Sequence, residues 1–430
     1  MTKLKPRPPQ SRVKHLILAK YLTSWGGIIT NGLKDRLTHL HFVYIDCHAS
    51  YGRYAGELKD TALQQEPQPV FGSPIIGVTT LDELTRWASK SYGLTIQTNA
   101  ILIEKDPKIF AELKRSLALA GLAQRVKETE AFSCLKNGEI AALCADSTCM
   151  ASKLVRYTQS GTTFSLFLLD PYGPTGIPLN FVRQIIRQPR HDVIINMPYQ
   201  DLHKKSGIAT KVHLAPTEKE LIKHYDAMFG NEQWQNIARA LDPNIIWEEE
   251  ESSEPDELTV READEARTLE QELINCYKES LQSVDQGLTV KSMKLRFPDR
   301  ERTMYYLYLT THDPSGALQM NKVLWEAWQQ EHELRWDLME SKKRGFQLPL
   351  IETVAPPLET PQRASTKKIA AHIVDIFRGK TATKKEIYRA MANESYFVDE
   401  IEKALTLLKR EKHAVFEGKG INTRITFLAH

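Results

Sequence analysis

Short, nearly unbroken apolar runs alternate with longer stretches that carry an apolar stripe over the first 200 positions of the chain. HFVYID (41–46), AILIEKD (100–106), Val126 to Ala131, TFSLFLLD (163–170) and DVIINMP (192–198) have strand length and composition. Between them, 16–33, 73–90, 107–120, 139–157 and 178–187 read as helices, with Pro107 suited to a first helical position. Strands without polar alternation are covered on both faces, and helices between them impose right-handed parallel crossovers. Residues 1–200 are therefore expected to form a doubly wound, Rossmann-like α/β sheet.

The pattern changes after Met197. Residues 201–303 read as a polar helical insertion, and its acidic run EEEESSEPDE (248–257) reads as a solvated loop. MYYLYLTT (304–311) is strand-like again and is expected to join the sheet late and antiparallel. A charged helix from Gln319 to about Lys343 follows, so 304–345 completes the core. Residues 346–363, with APPLETPQR, are a linker by composition. In 364–430, Thr366 to Phe377 and Phe397 to Arg410 each carry one apolar face, and Thr383 with Glu386 forms a capping box. The hairpin AVFE–GKG–TRITFL follows. Three helices and a hairpin predict a C-terminal winged helix-turn-helix.

Composition narrows the picture. Among 430 residues the net charge is only +3, too small to demand a polyanionic partner. The five cysteines show neither CxxC nor a Cys/His ligand spacing, which implies reduced, mostly buried thiols in a cytoplasmic protein and no metal site. Cys144 and Cys149 are expected to share one helix. No apolar stretch is long enough to span a membrane, and no signal core follows the basic, proline-rich start.

Ligands of doubly wound sheets lie outside the carboxyl ends of the strands. Asp46 ends the first strand, and Ala49, Ser50 and Gly52 form a small-residue turn after it. Glu104 ends the second strand, where a carboxylate accepts from ribose hydroxyls, and Glu130 follows the third, where an adenine amine would be met. Neither G-x-G-x-x-G nor GxxxxGK[ST] is present. Acidic strand ends without a phosphate turn fit S-adenosylmethionine better than NAD or ATP. The fourth strand ends in Asp170-Pro171-Tyr172-Gly173. In amino-methyltransferases with D/N-P-P-Y/F, the side chain and a proline carbonyl hold the target amine and the ring stacks on the base. Here one proline is missing.

These stretches, in order, resemble the three-Cys-motif partner protein family (TcmP). The matches are HLILAKYL (15–22), YIDCHASYGRY (44–54) against a motif close to D-x-F-A-G-P-G-x-Y, FGSPIIG (71–77), FLLDPYG (167–173) and YYLYLTTHDPSG (305–316). The resemblance implies a class I methyltransferase-like fold and carries over Asp46, Gly52, Ser73, Glu104 and Asp170 as cofactor- or substrate-facing positions. It adds Lys20 as a partner for the methionine carboxylate. Ser50 and Tyr51 depart from the family's Gly and Pro and narrow the cofactor pocket.

The expected function is S-adenosylmethionine-dependent methylation of a nucleic-acid base amine, with Asp170, Pro171 and Tyr172 at the amine. The alternative is a non-catalytic partner of a three-cysteine radical-SAM-like protein in a mobile-element or defence setting. Residues 364–430 carry 13 Lys/Arg against 8 Asp/Glu. Lys384, Lys385, Arg389, Lys419 and Arg424 are the candidate nucleic-acid contacts. Asp399, Glu400 and Glu402 at the start of the last helix argue against that helix entering a groove.

Overall fold

The computed structural model describes residues 4–37, 39–57, 68–240, 260–297, 302–344, 363–392 and 394–428. The chain opens with α1 (Pro9–Leu33), β1 (His39–Asp46), a small antiparallel pair β2 (Arg53–Glu57) and β3 (Gln68–Phe71), α2 (Ser73–Tyr92), β4 (Thr95–Glu104) and α3 (Pro107–Leu119). It continues through β5 (Val126–Lys127), β6 (Ile140–Cys144), α4 (Ala151–Thr158), β7 (Thr163–Leu169), α5 (Leu179–Ile186) and β8 (His191–Met197). Helices α6 (Tyr199–Lys205), α7 (Pro216–Phe229), α8 (Gln233–Ala240) and α9 (Val260–Gln282) lead to β9 (Thr289–Arg296), β10 (Thr303–Thr311) and α10 (Pro314–Arg344).

Eight strands form one sheet in the order β5-β6-β4-β1-β7-β8-β10-β9. From β5 to β8 every pairing is parallel, and β10 is antiparallel to both β8 and β9. The expected late antiparallel strand is thus present. Strand alternation sends Val43 and Ile45 to one face and Phe42 and Tyr44 to the other. The first face packs under α4, α5 and α7–α9, and the second under α1, α2, α3 and α10.

Four expectations fail here. Residues 140–144 form β6 rather than a helix. Ala-rich sequence favours a helix by propensity, but Ile140, Ala141, Ala142 and Leu143 are buried beside β4 between Gly138 and Asp146, and that burial decides the outcome. Cys144 ends this strand and Cys149 lies in a following turn, so they share no helix. Only Cys47 and Cys276 are buried; Cys134, Cys144 and Cys149 are exposed free thiols. The polar-looking insertion is also a covering layer, for Phe229, Trp234, Leu273 and Tyr277 are buried in the first core face, and it contains the edge strand β9. The acidic run 248–257 lies outside the described residues, as does the linker except Arg363.

The C-terminal unit contains α11 (Thr366–Phe377), β11 (Thr381–Thr383), α12 (Lys384–Met391), α13 (Val398–Arg410), β12 (Ala414–Glu417) and β13 (Arg424–Phe427). Its three strands pair antiparallel in the order β11-β13-β12. The Thr383–Glu386 capping box closes in both directions at the start of α12. The unit has its own apolar core, to which α10 contributes Leu318.

Helix α1 runs against the strands and reaches both edges of the sheet. Near the amino edge the Tyr21 hydroxyl donates to Asp192 Oδ2 at 2.5 Å, and Thr311 donates to Oδ1 at 2.9 Å. Burial pushes the Asp192 carboxyl up to about 7, against the pull of those two bonds and with a further push from Asp313. Between roughly pH 4 and 7 the folded chain keeps a proton that the unfolded chain has lost, so this group's contribution falls as pH rises and is constant above that window. Asp192→Asn lacks the titration. Its stability relative to the parent should rise by about 1–4 kcal/mol between pH 4 and 8, read from urea unfolding at each pH. A pH-independent difference would refute the assignment.

Candidate functional site at the carboxyl edge of the sheet

The chain moves from β1 to β4 on one side and later to β7 on the other, so the switch point lies outside the carboxyl ends of β1 and β7. Parallel register sets Asp46 opposite Leu168, which delivers the Asp46 and Asp170 segments to the same edge.

Asp46 is wholly buried. Its carboxylate accepts from the His48 amide and the Tyr44 hydroxyl, both at 3.1 Å, and from the Ser73 side chain at the start of α2. Burial pushes it up to about 6, these hydrogen bonds pull it down, and Asp170 adds a smaller push upward. Asp46 therefore braces the turn, while Ser73 joins it to α2. The turn itself is tight. The Ala49 amide donates to Ile103 O, Ser50 has φ 52° and Gly52 has φ 69°. Ser50 thus occupies a conformation that favours glycine. A Cβ on Gly52 would lie 2.8 Å from Leu113 Cδ1, so both dihedral and space call for glycine.

Glu104, also buried, accepts from the Ser50 amide at 3.0 Å and the Asp106 amide at 2.9 Å, one on each oxygen. It ties the first turn to the second, and each oxygen retains acceptor capacity.

Past β7, Asp170 accepts both hydrogen bonds from Lys14 Nζ, at 2.9 and 2.6 Å, and one from Asn196 Nδ2 at 2.6 Å. Burial pushes its carboxyl upward, but the Lys14 charge and these bonds outweigh it and hold it below its ordinary value. The Tyr172 ring is 85% exposed, and its hydroxyl lies 3.3 Å from Ser50 Oγ. Pro171 is buried, and Gly176 passes so near that a Cβ there would lie 2.5 Å from Pro171 Cβ and 2.7 Å from His48 Nε2. Tyr305 lies under the Lys14 ammonium at 5.1 Å. Burial lowers the His48 imidazole to about 4, so it is neutral at pH 7. Two buried polar atoms around Asp170, His48 Nδ1 and Asn196 Oδ1, have no hydrogen-bond partner among the described residues.

The structure does not bring every candidate here. Lys20 is ion-paired with Glu326 on α10, next to the Tyr21 anchor near the amino edge. Glu130 pairs with Lys153 and lines a separate cavity with His39, His41 and Thr163 at the amino ends of β1 and β7. The acidic residue past the third strand position is instead Asp146, whose charge is felt at His48. A helix expected over 139–157 hides this strand end in the sequence. Lys14 and Asn196 carry no sequence signal, since no motif marks a helical lysine or a strand asparagine. Together, Glu104, Asp146 and Asp170 offer acceptors to amines and hydroxyls. Among the described residues, no group of three metal-ligating side chains occurs.

In the C-terminal unit, Lys384 is committed to Glu402 at 2.7 Å. Lys385, Arg389, Lys419 and Arg424 are exposed. Arg424 pairs with Thr383 across β11 and β13, so it stands beside the start of α12 with Lys385. Glu400 caps α13 and is paired with Arg363.

The exposed ring and the strained turn separate function from packing. Gly52→Ala should destabilise by about 1–3 kcal/mol, whereas Tyr172→Ala should change stability by less than about 0.5 kcal/mol. Denaturant unfolding decides this. Comparable losses would make Tyr172 part of the packing.

No family model matches the chain, and no curated protein matches it. One solved structure that is similar is that of protein LPL1258 from Legionella pneumophila str. Philadelphia 1, described with the family model DUF519. It is 10% identical over 74% of this chain and 90% of that chain, with a TM-score of 0.36. At that TM-score the likeness bears on neither fold nor function.

Proposed function

We propose that this chain is an S-adenosylmethionine-dependent methyltransferase acting on a nucleic-acid base amine. The observation that carries this reading is Asp170-Pro171-Tyr172 at the switch point, an ionised carboxylate beside a freely exposed aromatic ring. The acceptor set suits a ligand with ribose hydroxyls and amines, since Glu104 meets the Ser50–Gly52 turn and the Asp146 charge reaches His48, with no phosphate-binding loop in the sequence. The cofactor, when bound, supplies an electrophilic methyl group.

The chain's own residues do the rest. Asp170 accepts an N–H of the target amine and so aims its lone pair, with Asn196 holding the carboxylate's orientation. Tyr172 stacks on the base, a contact worth about 1–3 kcal/mol. His48, neutral and half-buried, does not compete for the amine by charge. Glu104 accepts from ribose and Asp146 takes the role expected of Glu130. A second reading, the non-catalytic partner of a three-cysteine radical-SAM-like protein, is favoured by the Ser50 turn and its contact with Tyr172, which narrow the crevice.

Residues 364–428 fit a winged helix-turn-helix in which β12, β13 and the turn between them form the wing. Its polyanion contacts are Lys385, Lys419 and Arg424, supplemented by Arg389, and not the start of α13. There Phe397 packs on Trp325 of α10, and Arg363 sits 3.6 Å over the Phe397 ring.

Calorimetry should show binding of S-adenosylmethionine, weakened in Glu104→Ala by about 1–3 kcal/mol. Asp170→Ala should retain that binding and lose methyl transfer. No heat from millimolar cofactor would sink the enzyme reading and leave the partner reading. Full transfer by Asp170→Ala would remove the residue from the chemistry.

For the C-terminal unit, the triple change Lys385→Glu, Lys419→Glu, Arg424→Glu should weaken DNA or RNA binding and reduce its salt slope by roughly two to three. Cofactor binding should be unchanged. An unaltered salt slope would assign the unit to protein docking.

A further inference from the structure

The amine-accepting position is already taken by a group of this chain. Lys14 lies on the second turn of α1 and donates to both oxygens of Asp170, which leaves the carboxylate little freedom to receive another N–H. The pair is only partly enclosed, with side-chain exposure of 15% for Lys14 and 27% for Asp170. Aromatic rings lie beside it: Tyr305 is under the ammonium, and the Asp170 charge is felt at Tyr54 and Tyr305. The proline-rich segment before α1 borders the same opening, where the Lys5 carbonyl accepts from the Ala55 amide on β2.

We propose that Lys14 is a specificity-determining lock on Asp170, released when its ammonium transfers to a phosphate of the substrate. This rests on the reading of Asp170 as an amine acceptor. A neutral base offers the ammonium nothing in exchange for a carboxylate. A nucleotide does, because the phosphate next to a base stacked on Tyr172 replaces one charge-assisted partner with another. The ammonium keeps its proton and changes partner, and Asn196 holds Asp170 in place during the exchange. Four rotatable bonds let Lys14 swing without moving α1, which is anchored by Tyr21 on Asp192. The site thus reads a base only when it arrives with its phosphate, which selects nucleotides and polynucleotides over free nucleosides.

Calorimetry with S-adenosylhomocysteine present tests this, using adenosine against adenosine 5′-monophosphate and cytidine against cytidine 5′-monophosphate. For the base it accepts, the parent should prefer the monophosphate by roughly tenfold or more, the scale of one charge-assisted hydrogen bond. Lys14→Met should bind the nucleoside more tightly and the monophosphate less tightly, so the ratio approaches one. Lys14→Arg should keep the preference. Lys14→Gln serves if Lys14→Met fails to fold. A preference that survives in the uncharged variant overturns the lock and leaves the base site standing. So does a parent that binds both forms equally. If S-adenosylhomocysteine binds but no base does, in parent or variant, both the lock and the base-amine reading fall.

Discussion

Carboxylates buried or half-buried at the ends of central strands are the constraint to which most of the structure answers. An unpaired buried charge costs several kcal/mol, so each must be met by donors fixed in place. Asp46 is met by Tyr44, His48 and Ser73, which fixes how α2 begins. Glu104 is met by two backbone amides and so fixes the turn after β1. Asp170 is met by Asn196 from β8 and by Lys14 reaching over the sheet edge from α1. The acids do not share one environment. Asp46 is raised and Asp170 lowered, because only Asp170 has a cation beside it.

Much of this was legible in the sequence. Continuous apolar runs announce strands buried on both faces, and 41–46, 163–170 and 192–198 are such runs. The ends of those strands, Asp46 and Asp170, were legible for the same reason. What misled was local composition. IAALC has helix-forming alanines, yet its place beside β4 is settled by residues forty positions away. With a helix over 139–157, the third acidic position falls on Glu130 instead of Asp146, which follows β6. Strand β9 alternates polar and apolar residues at the sheet edge within a stretch dominated by helices, and was masked by it. Lys14 and Lys20 are equivalent by composition, and only the path of α1 assigns one to each edge.

The last helix shows how an apparent conflict dissolves at the level of pairs. Acidic residues at its start seem at odds with a basic unit. In the fold, Glu400 caps the helix and pairs with Arg363, and Glu402 pairs with Lys384. They are internal ties, which also means that Lys384 is spent on one of them.

Helix α10 belongs to two cores at once. Met320, Val323 and Ala327 pack beneath the large sheet, while Leu318 enters the core of the C-terminal unit. Asn321 adds two hydrogen bonds to the carbonyls of Glu394 and Tyr396. A boundary drawn in the linker by composition would cut through neither core in sequence but would strip one in space. The unit is therefore not portable as residues 364–430 alone. Recombination that moved it to another protein would have to carry α10, or an equivalent apolar ledge, along with it.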